Sequence, residues 1–222
     1  MTLIIAHRGA SAHAPENTMA AFRLALAMGA KAIELDVHQS RDNKLVVIHD
    51  ENLHRVAGRK ARVRDLTARE LAGEGVPRLA EVLDLVEGKA ELHVEIKKGS
   101  VLYPGIERRV VDLIGRRKAF KRVVVSSFDH KALFAVRALD ARARLGYLLG
   151  RTPMKKALVE METLNAESLN LSRRQADARK LRACREKGFR MLVYTINTQR
   201  ELSKFAKLGV DGVFTNFPEL KP

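Results

Sequence analysis

The feature that most constrains the fold is a regular alternation of short apolar runs and amphipathic stretches along the 222-residue chain. Eight runs have the length and β-branched content of strands, at residues 3–6, 32–37, 91–96, 123–127, 144–148, 167–171, 190–196 and 211–215. Helical periodicity lies between them, at about 16–28, 79–87, 104–118, 129–139, 153–163, 175–187 and 198–207. Strands that alternate with helices pair in parallel, so eight of them predict a closed TIM-type (β/α)8 barrel.

The length of the chain matches one barrel domain, and we predict a single domain over residues 1–222. One charged and weakly patterned segment, 51–78, interrupts the alternation. Segments of this kind at the barrel mouth, the end formed by the carboxyl ends of the strands, commonly shape access to a site. We therefore expect an insertion at the mouth, and an inert surface insertion is the alternative.

A further strand-like run, Leu45–Asp50, comes too soon after the second strand for a parallel crossover, which needs about a dozen residues. It is predicted to fold back as a hairpin on an extension of that strand, with Asp42 and Asn43 as turn residues. A turn centred there places His49 opposite Asp36 at the mouth. In the alternative arrangement this run is itself a barrel strand and the last of the eight runs is not.

Cysteine content and the lengths of the apolar runs exclude several classes of protein. Cys184 is the single cysteine, which excludes an internal disulfide framework and a zinc finger. No apolar run approaches the roughly 18–20 residues that span a bilayer, and the N-terminal run is too short for a signal peptide. We expect a cytoplasmic protein without a transmembrane segment.

The formal net charge of +15 is the strongest bias in the composition. It favours contact with anions, from a phosphate-bearing substrate to an anionic membrane, to which weak association is expected. A solvated basic exterior explains the same charge. Because no nucleic-acid module is recognisable and aromatic residues are few, we expect no specific nucleic-acid partner. The oligomeric state does not follow from the sequence.

Acidic residues alternate with aliphatic ones on two predicted strands. Glu34 and Asp36 share one face of the second strand, and Glu95 occupies the corresponding face of the third. Unpaired carboxylates inside a barrel are costly unless a cation or basic side chains compensate them. Oxygen ligands suit Mg²⁺ or Ca²⁺ better than zinc, and a salt-bridge network with Lys97 and Arg8 is the alternative.

Two histidines are predicted to arrive at the same end of the barrel. His7 ends the first strand, and His49 ends the hairpin. Beside a carboxylate cluster, such a pair is suited to accepting one proton and donating another. The cationic side chains of Arg8 and Lys97 can neutralise phosphate oxygens, so these residues together indicate phosphoryl transfer.

The motifs, taken in order, resemble those of the glycerophosphodiester phosphodiesterase family. They are His7–Gly9, Ala14–Thr18, Glu34–Val37, His49–Asp50, Pro77–Glu81 and Glu95–Lys97. The likeness continues through Ser127-Phe128, Thr195–Asn197 and Gly209–Gly212 to Thr215–Pro218, and so covers nearly the whole chain. The resemblance implies a barrel of the phospholipase C-like phosphodiesterase kind that hydrolyses deacylated phospholipid headgroups to sn-glycerol 3-phosphate and an alcohol.

The resemblance also implies roles for individual positions. Histidines His7 and His49 would be the general acid and base, and Glu34, Asp36 and Glu95 would bind one divalent cation, Mg²⁺ or Ca²⁺. Basic residues Arg8 and Lys97 would hold the phosphate. Support of the site is expected from Glu16, Asn17, Phe128 and Tyr194.

Two further alternatives stay open at this stage. Either the neighbouring glycerol hydroxyl attacks phosphorus to give a cyclic phosphate that water then opens, or water attacks directly. A related barrel enzyme that acts on intact phospholipids or lysophospholipids is the other candidate, although no amphipathic helix with a Trp-rich or Phe-rich face supports it. The chain departs from the family pattern at Tyr194, often Trp, and at Asn216, often Asp.

Overall fold

A computed structural model, which describes residues 2–221, contains the closed parallel barrel that the sequence predicts. Nine strands lie in the described part of the chain: β1 (Leu3–His7), β2 (Ala32–Gln39), β3 (Leu45–Val47), β4 (Glu91–Ile96), β5 (Val123–Ser127), β6 (Arg144–Leu148), β7 (Ser168–Ser172), β8 (Arg190–Tyr194) and β9 (Gly212–Thr215). All but β3 form the barrel wall. Strand β1 pairs in parallel with both β2 and β9, and this closes the ring.

Helices cover the outside of the barrel. Those found among residues 2–221 are α1 (Met19–Ala27), α2 (His54–Ala57), α3 (Ala68–Gly73), α4 (Leu79–Val86), α5 (Gly99–Leu102), α6 (Ile106–Arg116), α7 (His130–Leu139), α8 (Met154–Leu164), α9 (Ala178–Glu186) and α10 (Gln199–Leu208). Thr18, Asp129, Asp177 and Thr198 cap four of them by accepting a backbone N–H of the first turn. No helix in this part of the chain is long and apolar enough to cross a bilayer.

Apolar side chains on the strands pack in two layers. The outward faces, such as Ile33 and Val94, join the helices in one large buried cluster. Inside the barrel a small cluster that includes Ile5, Leu192 and Phe214 fills the centre. Charged and polar side chains occupy the rest of the interior, mostly at its two ends, so the barrel encloses the polar groups that β2 and β4 carry on one face.

The hairpin is confirmed, but its predicted register is wrong by one residue. Strand β3 pairs antiparallel with β2, and the backbone N–H of Ile48, not of His49, donates to the carbonyl of Asp36. The turn is centred on Asp42 instead of between Asp42 and Asn43, because Asn43 adopts a left-handed φ of 60°. His49 nevertheless lies at the mouth, since it lines the cavities there.

The segment 51–78, called here the excursion, contains α2, a short 3-10 turn at Val63–Asp65 and α3. Its apolar residues form a separate buried cluster with two residues of the hairpin. The members of this excursion cluster are Val46, Ile48, Leu53, Val63, Ala68, Leu71 and Val76. The weak hydrophobic pattern of this segment concealed its short helices because most of their residues are exposed.

Candidate active site

Two adjoining cavities open at the mouth, with volumes of about 250 Å³ and 580 Å³. They share His49, Glu95, Lys97 and Phe128 as lining residues. The parallel register explains the convergence, because it sets His7 beside Glu34 and Asp36 beside Glu95. Candidate side chains on β1, β2 and β4 therefore lie next to one another at the mouth.

The three predicted carboxylates form one buried cluster. Each of Glu34, Asp36 and Glu95 offers an oxygen atom, and these atoms lie within 4.8 Å of one another. Asp36 is fully buried, and Glu34 and Glu95 are 6% and 9% exposed. Such proximity without solvent is unfavourable for three negative charges, so the cluster needs positive charge.

Basic side chains supply part of that charge. The Nζ atom of Lys97 lies 2.8 Å from Glu95 Oε1 and 3.3 Å from Asp36 Oδ1, and Arg8 Nε lies 3.1 Å from Asp36 Oδ2. Glu34 instead accepts a backbone N–H from Arg8 at 3.1 Å. The salt-bridge contacts considered as the alternative to a metal site are therefore present in the structure.

These contacts leave the cluster short of positive charge. Burial and the charge of Asp36 raise the pKa of Glu34 well above its ordinary value, and the same two causes raise the pKa of Glu95 to about 7. Burial acts in the same direction on Asp36, but Lys97 and Arg8 lower its pKa below the ordinary value. The cations of the chain thus outweigh burial and repulsion at one carboxylate of the three, Asp36.

A divalent cation fits this donor set. The buried Oδ1 atom of Asp36 has no hydrogen bond among the described residues, although Lys97 lies within ion-pair distance. Two further carboxylates with raised pKa values surround it. An oxygen-only set of this kind suits a hard cation, which would remove the repulsion between the three groups.

His7 is held at the edge of the cluster. Its Nδ1 atom lies 2.8 Å from Asn216 Oδ1, and its Nε2 atom lies 4.0 Å from Glu34 Oε2. Because an amide oxygen only accepts, this contact places the ring proton on Nδ1. Burial and the charge of Arg8 lower the pKa of His7 to about 4, so the ring is neutral at neutral pH.

His49 is oriented from the opposite side. Its Nδ1 atom lies 2.7 Å from Asp50 Oδ1, which leaves Nε2 without that partner and free to face the cavity that His49 lines. Its backbone carbonyl accepts from the ring of His38, at 3.0 Å from Nε2. The other ring nitrogen of His38 contacts the hydroxyl of Tyr103 at 2.7 Å, so the end of the hairpin is fixed to the barrel.

The turn after β1 brings Arg8 into this site. Arg8 and Gly9 both have positive φ values, 59° and 81°. A Cβ atom on Gly9 would lie 2.7 Å from the backbone carbon of Ala21, so only glycine allows α1 to approach so closely. The direction of the chain beyond β1 therefore depends on this glycine.

The predicted support residues Glu16 and Asn17 both contact the site. Asn17 Nδ2 donates to Asp36 Oδ2 at 2.9 Å, and Glu16 Oε1 accepts from Arg8 Nη1 at 3.0 Å. The helix that was expected to begin at about residue 16 begins at Met19, because Asn17 has a left-handed φ of 58°. Capping by Thr18 alone does not account for these contacts.

Three aromatic side chains, Phe128, Tyr194 and Phe214, line the smaller cavity together with carboxylates of the cluster. Phe128 and Tyr194 meet edge to face with ring centroids 6.3 Å apart, and Tyr194 meets Phe214 in the same way at 6.4 Å. Phe128 is 47% exposed, which is high for so large an apolar side chain. The cavity is thus lined by both charged and apolar side chains.

Sequence reasoning missed three kinds of contact in this site. Asn216 was considered only as a departure from a family pattern, and its contact with His7 joins positions 209 residues apart. His38, two residues after Asp36 on β2, was given no role. Arg55 was missed entirely, and the only signal available was its place in a basic segment beside Asp50.

Sequence comparisons agree with the resemblance over the full length of the chain. A sequence model of the glycerophosphoryl diester phosphodiesterase family matches residues 7–220. A glycerophosphodiester phosphodiesterase of Caldanaerobacter subterraneus subsp. tengcongensis is 36% identical, over 98% of this chain and 95% of that protein. One from Bacillus altitudinis is 34% identical, over 99% of this chain and 96% of that protein.

Solved structures show the same similarity. A glycerophosphodiester phosphodiesterase from Thermotoga maritima superposes with a TM-score of 0.87 at 30% identity, and the match covers 99% of this chain and 96% of that one. A phosphodiesterase from Oleispira antarctica, in complex with the product sn-glycerol-3-phosphate, gives a TM-score of 0.88 at 26% identity. That match covers 99% of this chain and 94% of the other.

Proposed function

Because this chain belongs to the glycerophosphoryl diester phosphodiesterase family, we propose that it hydrolyses glycerophosphodiesters, the deacylated headgroups of phospholipids, to sn-glycerol 3-phosphate and an alcohol. The observation that carries the proposal is that His7, His49, Glu34 and Glu95 line one cavity, with a carboxylate oxygen of the buried Asp36 within 4.8 Å of those of the two glutamates. A relative of known structure holds sn-glycerol-3-phosphate, which supports the proposed product.

The two histidines supply the proton transfers in this proposal. His7 is neutral at neutral pH because its pKa is lowered to about 4, so its Nε2 atom can accept a proton. His49 is fixed through Nδ1 by Asp50, which leaves Nε2 for exchange with the substrate. One ring removes a proton from the attacking oxygen while the other donates one to the departing alcohol, and which does which in the first step is left open.

Glu34, Asp36 and Glu95 would hold one divalent cation, for which we propose Mg²⁺ or Ca²⁺. When bound, the cation supplies positive charge that stabilises the phosphate oxygens as negative charge builds on them. Arg8 and Lys97 add guanidinium and ammonium groups on the same side. Phe128 and Tyr194 provide the apolar surface on which the carbon atoms of the substrate can rest.

Release of sn-glycerol 3-phosphate by the purified protein tests this function. Substrates are glycerophosphocholine, glycerophosphoethanolamine, glycerophosphoglycerol and, for comparison, lysophosphatidylcholine, each with and without a chelator. We expect turnover that chelation abolishes and that Mg²⁺ or Ca²⁺ restores. Full activity after rigorous removal of metal contradicts the metal site, and a clear preference for lysophosphatidylcholine contradicts the substrate class.

A further inference from the structure

A cationic side chain from the excursion contacts the groups behind the site. Arg55 lies on α2, two residues after Leu53, whose side chain is fully buried in the excursion cluster. Asn52 Oδ1 accepts a hydrogen bond from the backbone N–H of His54 at 3.0 Å and so fixes the beginning of this turn. The packing of Leu53 therefore sets the point from which Arg55 projects.

The guanidinium of Arg55 joins two carboxylates that come from different parts of the chain. Its Nε atom donates to Asp50 Oδ2 at 2.7 Å, and its Nη2 atom donates to Glu16 Oε1 at 2.8 Å. Glu16 belongs to the loop before α1, whereas Asp50 follows the hairpin. Because the guanidinium is planar and rigid, the two carboxylates are held in a fixed relation to one another.

Each of these carboxylates in turn contacts a residue to which the proposed function gives a direct role. Asp50 Oδ1 lies 2.7 Å from Nδ1 of His49, and Glu16 Oε1 lies 3.0 Å from Nη1 of Arg8. A continuous series of charged contacts thus runs from Arg8 to His49 with Arg55 at its centre. Arg55 is the most exposed member of the series, since its side chain is 45% exposed and those of His49 and Arg8 at the two ends are 32% and 17% exposed.

Folding stability does not explain this arrangement. Arg55 is nearly half exposed, and exposed ion pairs contribute little to the stability of a fold. Orientation by an outer partner can have a larger effect on function. Loss of the partner that orients a metal ligand typically costs about 10- to 100-fold in affinity or activity, and we expect an effect of the same order for a partner that orients a catalytic side chain. The contacts of Arg55 with Asp50 and Glu16 can therefore affect catalysis even though they contribute little to the stability of the fold.

We propose that Arg55 is a positioning residue, which orients His49 through Asp50 and Arg8 through Glu16. The inference rests on the proposed hydrolysis of glycerophosphodiesters, and it gives the excursion a role in catalysis besides any role in access. Two arms lead from Arg55, one through Asp50 to His49 and the other through Glu16 to Arg8, and each is expected to affect a different kinetic parameter. The Asp50 arm acts on the proton-transfer step and hence on kcat, whereas the Glu16 arm acts on the grip on phosphate and hence on KM.

Steady-state kinetics of three variants test this division. Asp50→Asn is expected to lower kcat by about 10- to 100-fold with little change in KM, and Glu16→Gln is expected mainly to raise KM. Arg55→Ala should show both effects. The matched control is Arg59→Ala, because Arg59 lies in the same excursion and its side chain, which is 55% exposed, pairs with Glu74; its kcat and KM should stay within about twofold of the wild type.

Two further measurements separate positioning from a general weakening of the fold. Guanidinium ion at low millimolar concentration should partly restore kcat to Arg55→Ala but not to Arg59→Ala, and NaCl at equal ionic strength should not. In Asp50→Asn combined with Arg55→Ala, kcat should be little lower than in the more impaired single variant. If Arg55→Ala does not fold, Arg55→Lys replaces it and should retain an intermediate kcat, because an ammonium cannot hold both carboxylates in one plane.

The outcomes distinguish this inference from the function on which it rests. Wild-type protein that releases no sn-glycerol 3-phosphate contradicts the proposed function before any variant is compared. Active wild type together with unchanged kinetics of the Arg55 variants overturns the positioning role alone. Multiplicative losses in the double variant, or a loss of activity that only follows the loss of thermal stability, overturn it equally.

Discussion

The two ends of the barrel shift the pKa of a buried or half-buried glutamate in opposite directions, and β4 contributes one glutamate to each end. Glu95 lies in the carboxylate cluster at the mouth, and Glu91 lies at the amino end of the same strand face, about 13 Å away. Burial and Asp36 raise the pKa of Glu95 to about 7. Burial also acts to raise the pKa of Glu91, but the contacts with His93 and Arg144 outweigh it and lower the pKa of that carboxyl to about 2.

The difference lies in burial and in the close neighbours of each carboxylate, because the side chains of Glu91 and Glu167 are partly exposed whereas those of Glu34, Asp36 and Glu95 are buried together. At the amino end Arg144 lies between two glutamates, with Nη1 2.6 Å from Glu91 and Nε 2.8 Å from Glu167, and His93 Nε2 lies 3.0 Å from Glu91. We call these four residues the amino-end cluster. At the mouth three more deeply buried carboxylates share two basic side chains. The comparison indicates that the amino-end cluster stabilises the fold, whereas the mouth retains unbalanced charge for a ligand.

The histidines give the largest expected contrast between the two ends. His7→Ala and His49→Ala should each lower kcat by about 10²- to 10⁴-fold, because a general acid or base is lost. Binding of the metal and thermal stability should be nearly unchanged, and the double variant should lose far less than the product of the two losses. His93→Gln, in the amino-end cluster, is the control and should keep wild-type kcat. Loss of the metal in either alanine variant contradicts the proposed roles.

The carboxylates at the mouth give the next largest effect. Glu34→Gln should weaken binding of Mg²⁺ or Ca²⁺ by about 10-fold or more, since it removes one charged ligand. Without metal, its melting temperature should equal or exceed that of the wild type, because a buried carboxylate with a raised pKa is removed. Calorimetric titration and thermal unfolding measure the two quantities. Unchanged metal affinity would mean that the cluster is a salt-bridge network.

The corresponding change at the amino end should have the reverse result. Glu91→Gln should lower the free energy of unfolding by about 1–2 kcal/mol, because Arg144 and His93 lose a charged partner. For a domain of this size that is a fall of about 2–8 °C in melting temperature, with kcat unchanged. Glu87→Gln is the matched control, since the Glu87 side chain is 61% exposed and pairs with Arg122 at the surface. A large loss of kcat in Glu91→Gln would contradict the assignment of the amino-end cluster to stability alone.

The smallest effect is the dependence of this stability difference on pH. The pKa of Glu91 is lower in the folded state than its ordinary value of 4.5, so its contribution is present above pH 4.5. It is lost as pH falls toward the folded value of about 2. Denaturant unfolding of wild type and Glu91→Gln should therefore differ by a constant amount near neutral pH and converge in acid. A difference that persists at pH 2 would show that the carboxylate charge is not its source.

The sequence alone was sufficient to predict the barrel and the inward-facing charges. The period of two along β2 and β4 decides which side chains face inward, and the parallel pairing of neighbouring strands then brings Asp36 beside Glu95. The register of the hairpin was missed because it depends on the φ of Asn43, a property that the residue type permits but does not require.

The contacts that orient the site residues from outside the cavity could not be predicted from sequence patterns. Periodicity places residues within one strand or helix, whereas Asn216 meets His7, and Arg55 meets Glu16, through loops whose paths depend on tertiary packing. Arg55 projects as it does because Leu53 is buried among residues from the hairpin and α3. No local pattern distinguishes Arg55 from the other basic residues of its segment.

The separate packing of the excursion has a consequence for how such a protein can diversify. Residues such as Leu53, Val63 and Leu71 form their own small core together with Val46 and Ile48 of the hairpin, separate from the large core around the barrel. Changes in the length or surface of this segment can therefore accumulate without repacking the barrel wall. The excursion can thus be exchanged as a unit by natural selection or by recombination between homologues. The proposed positioning role is kept only if the new segment again places a cationic side chain between Glu16 and Asp50.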